Sequence, residues 1–382
     1  MKIGMFLGSV GSDSGGPERY EMELVKHLAA IDKVNEYELL TLFERGPERL
    51  VKQENFSAQA LSPRIRPVSM LTSLPLQMKR AQADVWHATY VPPPFSPEPY
   101  AFTLVCSSMI EHPELFPPAI RLRLTTLTNR AIAKAELIVC ISDHIRQVVR
   151  ERYQVSEDRL AVTHLGASEA FQPLDKEESR RFVRDTYGID RPYFLFSGRW
   201  ERRKNIVRII EAFARFRAES KLDMQLVFSG ERTWAAQEAD TIIRQHGLAR
   251  DVVDLGKSPM SELPQLYSGA VALAYPSLWE GFGLPIVEAM AAGTPVITSN
   301  NSSMKEIGGD AALLVNPESV DDIAAAMNAI AADESLQHSL REKGLARAAQ
   351  FTWRRTAEQT LALYERQHSV RASTALGRKR HA

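Results

Sequence analysis

Apolar residues follow two alternating rhythms along this chain. Short unbroken apolar runs read as buried strands, and the segments after them repeat apolar positions every three to four residues, the spacing of a helix with one buried face. KIGMFLG is the first run, and a Gly/Ser loop leads from it to a helix opening at Pro17 with Tyr20, Leu24, Leu28 and Ile31 on one side. DVWHATY, FTLVCSS and ELIVCIS continue the series. Near Phe171-Gln172-Pro173 the rhythm breaks into a polar, charged stretch ending at Arg191-Pro192, which marks a domain boundary. Beyond it YFLFSG, MQLVFSG, VVDLG, ALAYPS and PVITS are strands, and Asn205 to Arg217 is a helix turning Ile206, Ile209, Ile210, Phe213 and Phe216 inward. Such alternation builds parallel sheets covered on both faces. The expected class is therefore α/β, with two doubly wound, Rossmann-like domains over 1–175 and 190–350 and a loose Arg/Lys/Ser-rich tail over 371–382.

Composition narrows the classes. A chain of 382 residues, 44% hydrophobic and 25% charged, has ordinary globular makeup and room for two cores. The 47 basic residues balance the 47 acidic ones, so the overall charge gives no reason to expect a nucleic-acid partner. Cys106 and Cys140 lie in apolar runs and read as packed thiols rather than a disulfide framework. The first apolar run is too short for a signal peptide, and no run approaches the ~18 residues of a membrane span. The expected location is cytoplasmic, either free or at the inner face of the cytoplasmic membrane.

The strongest local signal is YPSLWEGFGLPIVEAMAAGTPVITS. A strand ending at Ser277 gives way to a loop with Glu280, then Gly281-Phe282-Gly283, then a helix opening near Leu284-Pro285 with Glu288 one turn in. Free N–H groups at a helix start attract anions, and glycines let a ligand approach the backbone. Carboxylates accept hydrogen bonds from vicinal hydroxyls, so two of them flanking a phosphate cradle suit a nucleotide sugar. Arg199 and Lys204 follow the strand YFLFSG, at the carboxyl end where open α/β sheets bind ligands.

EGFGLPIVEAMAAGTPVITSN resembles the donor-binding motif of family-4 retaining glycosyltransferases of the GT-B fold, in which two Rossmann-like domains face each other across a cleft. FSGRWERRKNIVRIIEAF is similar to the family's phosphate-binding segment, LGKSPMSELPQLYSGA to its base-side loop, and SDSGGPERYEMELVKHLA to the glycine loop and first helix of its N-terminal, acceptor-side domain. The resemblance implies that Glu280 contacts the donor sugar and that Phe282, Gly283 and Leu284 offer backbone groups to sugar and phosphate. Glu288 then holds the ribose, Arg199 and Lys204 hold the diphosphate, and Gly15 and Gly16 present backbone N–H groups to a phosphate. Arg199, Lys204 and Glu280 become the catalytic set, with no metal and no cofactor. The segment 351–370 resembles the helix that crosses back to the N-terminal domain in this fold. Both glutamates are expected to be removable with little effect on folding.

One departure stands out. Many family members carry a histidine at the end of the strand represented here by FTLVCSS, where this chain has Ser107-Ser108. His87 and His112 are nearby in sequence and could substitute for it sterically, although an ordinary loop or strand-end histidine is the commoner reading of each. The segment ITSNNSSMKEIGGDAALLVNP resembles mannosyltransferases of bacterial surface-polysaccharide assembly, which implies GDP-mannose as donor, a UDP-sugar as the alternative, and a glycan or lipid-linked glycan as acceptor. A helix expected over Ala119 to Ala135 sets Arg123, Leu127, Arg130 and Lys134 on one side, a pattern suited to an anionic membrane. Two other classes fit the same residues: a donor-binding partner subunit without activity, and a nucleotide-sugar epimerase of the same fold.

Overall fold

The computed structural model describes residues 1–115, 118–233 and 236–380. The chain divides into two compact units, one of Met1–Leu165 with Trp353–Ala382 and one of Gly166–Thr352.

In the first unit seven strands form one parallel sheet: β1 Lys2–Leu7, β2 Glu36–Thr41, β3 Phe56–Ala60, β4 Val85–Thr89, β5 Tyr100–Leu104, β6 Leu137–Cys140 and β7 Leu160–Val162. Their order is β3-β2-β1-β4-β5-β6-β7, so the chain reverses its direction of travel at β1, where Ile3 pairs with Tyr37 on one side and Val85 on the other. β4 and β5 are buried at every position, as strands covered on both faces must be. Cys106 and Cys140 are free thiols.

The C-terminal helix Trp353–Arg380 belongs to this unit and packs on the helix Gly16–Ile31. Trp353 is buried 6.2 Å from the Tyr20 ring. No proline interrupts the helix, so it continues to Arg380 through the residues expected to form a loose tail, of which 381 and 382 lie outside the described residues. Arg371 secures this extension, donating to the carbonyls of Asp84 and Pro99 and to the Glu136 carboxylate.

The second unit holds β8 Tyr193–Ser197, β9 Gln225–Ser229, β10 Val252–Asp254, β11 Ala272–Tyr275, β12 Val296–Ser299 and β13 Leu313–Val315, in the order β10-β9-β8-β11-β12-β13. All pairings are parallel, and the reversal falls between β8 and β11. The helix Ile206–Glu219 buries Ile206, Ile209, Ile210, Phe213 and Phe216, and Phe216 meets the β8 residue Phe194 edge-on at 5.4 Å. Burying one such side chain stabilises the fold by ~1.5–3 kcal/mol.

Candidate active site

The switch point between β8 and β11 gathers most of the residues singled out from the sequence. Gly198 follows β8 with φ +148°, and Gly230 follows β9 with φ +159°. A Cβ on Gly230 would lie 1.9 Å from the Gly198 carbonyl oxygen, so glycine alone lets these two strand ends lie side by side. From there the chain makes a single turn at Arg202–Lys204, and Asn205, at φ 64°, starts the next helix. The Asn205 amide donates to the carbonyls of Pro276 at 2.9 Å and Pro317 at 2.7 Å, which ties this turn to the loop after β11.

That loop carries Glu280, and the tight turn aims two consecutive cations at it. Lys204 Nζ is 2.5 Å from Glu280 Oε1, and Arg203 Nη1 is 2.8 Å from Oε2. The Tyr275 hydroxyl donates to Oε1 at 3.0 Å, and Lys204 also hydrogen-bonds Tyr275. Glu280 is 6% exposed. Burial pushes its carboxyl upward, but Arg203 and Lys204 outweigh burial and hold it at about 2. Burial also pushes the Lys204 ammonium below its ordinary value, against the pull of Glu280. The backbone of Glu280 is fixed as well, since the Ser303 hydroxyl donates to its carbonyl at 2.9 Å.

Beyond Glu280 the chain enters the helix Leu284–Ala291 through Gly283, whose φ of 95° favours glycine. Pro285 occupies the first turn, and no side chain caps the helix. Phe282 turns its ring into the core, edge-on to Phe351 at 5.8 Å. Glu288, 2% exposed, accepts a hydrogen bond from the Tyr267 hydroxyl at 2.9 Å.

Other expected residues do not touch Glu280. Arg199 is half-exposed and pairs with Glu231 at 3.2 Å and, at 3.9 Å, with Glu201, which also pairs with Arg203 at 3.1 Å. Gly15 and Gly16 sit in the first unit, exposed, with open space where a Cβ would stand. Their loop is held from below by Glu21, which accepts from the Ser9 and Val10 N–H groups at 2.8 and 2.9 Å. Burial lifts the Glu21 carboxyl to about 8.

Two expectations are decided here by burial. His87 cannot replace the missing histidine, because it is fully buried within the first unit between the Tyr364 and Thr103 hydroxyls, each 2.6 Å away. Burial holds its imidazole at about 3, hence neutral. His112 faces Glu114 at 3.1 Å, whereas Ser107 is buried and donates to Glu111 at 2.5 Å. Glu280, too, is not the freely removable acid expected from the sequence, since it neutralises a buried lysine. Sequence reasoning missed Arg203, Tyr275 and Tyr267. Arg203 is one of three arginines in RWERRK, and only the tight turn distinguishes it.

Two parallel-sheet, Rossmann-like units with such a site define the GT-B class of glycosyltransferases. A family model described as "Glycosyl transferases group 1" matches residues 179–347, and one described as "Glycosyltransferase Family 4" matches residues 14–171. Over 367 residues the chain is 30% identical to O-antigen chain mannosyltransferase B of Escherichia coli, covering 92% of this chain and 96% of that protein. It is 31% identical over 219 residues to the MMP alpha-(1->4)-mannosyltransferase of Mycolicibacterium hassiacum, covering 56% and 50% of the two chains. The fold matches sucrose-phosphate synthase of Thermosynechococcus elongatus with a TM-score of 0.81 at 20% identity, covering 97% of this chain and 100% of that one. It matches WaaG, a glycosyltransferase involved in lipopolysaccharide biosynthesis, with a TM-score of 0.73 at 16% identity, covering 95% and 99%. The chain belongs to the family-4 retaining glycosyltransferases and is an enzyme of that class. Among the described residues no helix is long and apolar enough to cross a membrane.

Proposed function

We propose that the chain transfers mannose from GDP-mannose, with retention of configuration, to a hydroxyl of a growing, lipid-linked bacterial polysaccharide at the inner face of the cytoplasmic membrane. The observation that carries this is the charged Glu280. A carboxylate kept ionised by Arg203 and Lys204 beside an uncapped helix start has the chemistry to take sugar hydroxyls next to a phosphate. That the relative matched along nearly its whole length is an O-antigen mannosyltransferase supports the choice of sugar.

In this assignment Glu280 accepts from hydroxyls of the mannose, and Glu288, oriented by Tyr267, accepts from the ribose. Arg199, Lys204 and the backbone N–H groups of Phe282, Gly283 and Leu284 hold the diphosphate. The bond from C1 of mannose to the diphosphate oxygen breaks, a bond from the acceptor oxygen to C1 forms, and the acceptor proton leaves on the departing diphosphate. Arg199 and Lys204, paired in this structure with Glu231 and Glu280, are assigned to stabilise the charge developing on that diphosphate, the part a metal plays elsewhere. The helix Pro118–Lys134, which exposes Arg123, Arg130 and Lys134, provides a basic face toward anionic lipid.

The test is incubation with GDP-mannose and a lipid-tailed α-mannoside, with and without EDTA, and analysis of the product by proton NMR. An α-linked mannoside formed equally in both is expected. Transfer from UDP-glucose alone, a β-linked product, or activity that EDTA abolishes and Mg²⁺ restores would each overturn the corresponding part.

A further inference from the structure

The other end of the second sheet carries a feature that donor binding leaves unexplained. Pro192, Met224, Val271 and Pro295 immediately precede β8, β9, β11 and β12, and they line a cavity of 590 Å³. That volume lies within the ~300–1,000 Å³ of small-molecule sites. The candidate active site follows the carboxyl ends of β8 and β11, so a strand length of about 15 Å separates the two.

Three cations meet on one side of this cavity. Lys176 and Arg180 come from the first turns of the helix Lys176–Tyr187, and Arg341 comes from the helix Glu334–Ala348. Among the described residues Lys176 forms no ion pair, and Arg341 donates to a neutral acceptor, the Gly293 carbonyl, at 3.2 Å. Arg180 reaches Glu177 at 3.1 Å. Burial first, and then the charges of Arg180 and Arg341, push the Lys176 ammonium below its ordinary value.

The neighbouring acids offset this excess only in part. Asp223 is taken by Arg191 at 2.8 Å and Arg217 at 3.3 Å, and Glu177 and Glu334, the latter in the cavity wall, pull on Lys176 less strongly than the two arginines push. His338 faces Glu342 at 3.3 Å. Like charges collected in a half-buried cavity repel one another, and a bound anion converts that repulsion into attraction. Phosphate suits the arrangement, since arginine offers it paired donors and lysine a point charge. The residues at the strand starts, by contrast, form an apolar floor.

We infer that this cavity is a second ligand site, separate from the donor site, for a small phosphate ester with an apolar or aromatic body. The phosphate rests on Lys176 and Arg341, with Arg180 alongside, and the body lies over Met224, Val271 and Pro295. This inference stands independently of the donor assignment, because it uses none of the same residues.

The probe is 1-naphthyl phosphate, an aromatic phosphate without ribose or sugar, titrated calorimetrically into the full chain. Binding at one site is expected, undisturbed by saturating GDP-mannose and by Arg199→Ala. Affinity should fall about tenfold or more in Lys176→Gln and further in Lys176→Gln/Arg341→Ala, with circular dichroism and melting confirming that both fold. Lys176→Arg should restore most of it. Absence of binding at millimolar probe, displacement by GDP-mannose, or unchanged affinity in the folded Lys176→Gln variant would each overturn the inference. Should the double variant fail to fold, the single Lys176→Gln substitution and its Lys176→Arg counterpart decide the question alone.

Discussion

Replacing Glu280 by Ala should destabilise the second unit, because it leaves the Lys204 ammonium, 9% exposed, without its counter-ion. The size of the effect follows from the Glu280 carboxyl, held at about 2 against an ordinary 4.5. At about 1.36 kcal/mol per pH unit this depression corresponds to about 3 kcal/mol of stability at neutral pH. Breaking one partner out of a buried ion pair costs ~3–5 kcal/mol, in agreement. For a unit of this size each kcal/mol moves the melting temperature by roughly 2–4 °C, so the variant should melt roughly 10 °C lower. The sign with pH is fixed as well. A depressed carboxyl pKa gives stability that is complete above about 4.5 and is lost as pH falls toward 2, so the gap between wild type and variant should narrow across that window. Calorimetric melting from pH 7 down to pH 3 measures both. Replacing the pair together, Glu280→Leu with Lys204→Met, should recover most of the loss, since no buried charge is then stranded. A Glu280→Ala protein that melts within about 2 °C of wild type at pH 7 refutes the reasoning.

Three further outcomes are expected. Glu288→Ala should raise the donor KM about ten- to a hundredfold with kcat little changed, because ribose contacts alter little during bond cleavage; steady-state kinetics with varied GDP-mannose checks the split. His87, held at about 3 by burial against an ordinary 6.5, takes up its proton only on unfolding, so the first unit should lose about 2 kcal/mol between pH 7 and pH 5; urea titrations should find that slope absent in His87→Gln. Vesicles containing anionic lipid should bind the wild type in a salt-sensitive way, and sedimentation with vesicles should show binding weakened when Arg123, Arg130 and Lys134 become Ser, each contributing about 1 kcal/mol near such a surface.

The parts of the fold that were legible in the sequence are those where burial dictates residue type. YFLFSG and ALAYPS are buried on both faces and could be read as strands directly, and Ile206 to Phe216 show their inward face by spacing alone. Strand β3 could not be read that way. Its FSAQA lies at a sheet edge with alternate positions exposed, and its only large apolar residue is Phe56. Leu313–Val315 is likewise an edge strand of three residues, too short to leave a periodic signal. In the site, Glu280 and Glu288 were marked by their glycine-rich, strand-to-helix context. The pairing of Glu280 with Arg203 was invisible because RWERRK offers several equivalent cations, and the choice among them is made by the tight turn and the left-handed Asn205. The surroundings of His87 were illegible for the opposite reason: a histidine near the end of a strand looks available until Tyr364, almost 280 residues further on, closes over it.

The most direct test of the central claim is calorimetric titration of GDP-mannose into the full chain and into Glu288→Ala and Arg199→Ala. The donor assignment predicts one site in the wild type and an affinity about tenfold or more weaker in each folded variant, with UDP-glucose binding less tightly than GDP-mannose throughout. Heat of binding that is absent with GDP-mannose, or unchanged in both variants, would contradict it.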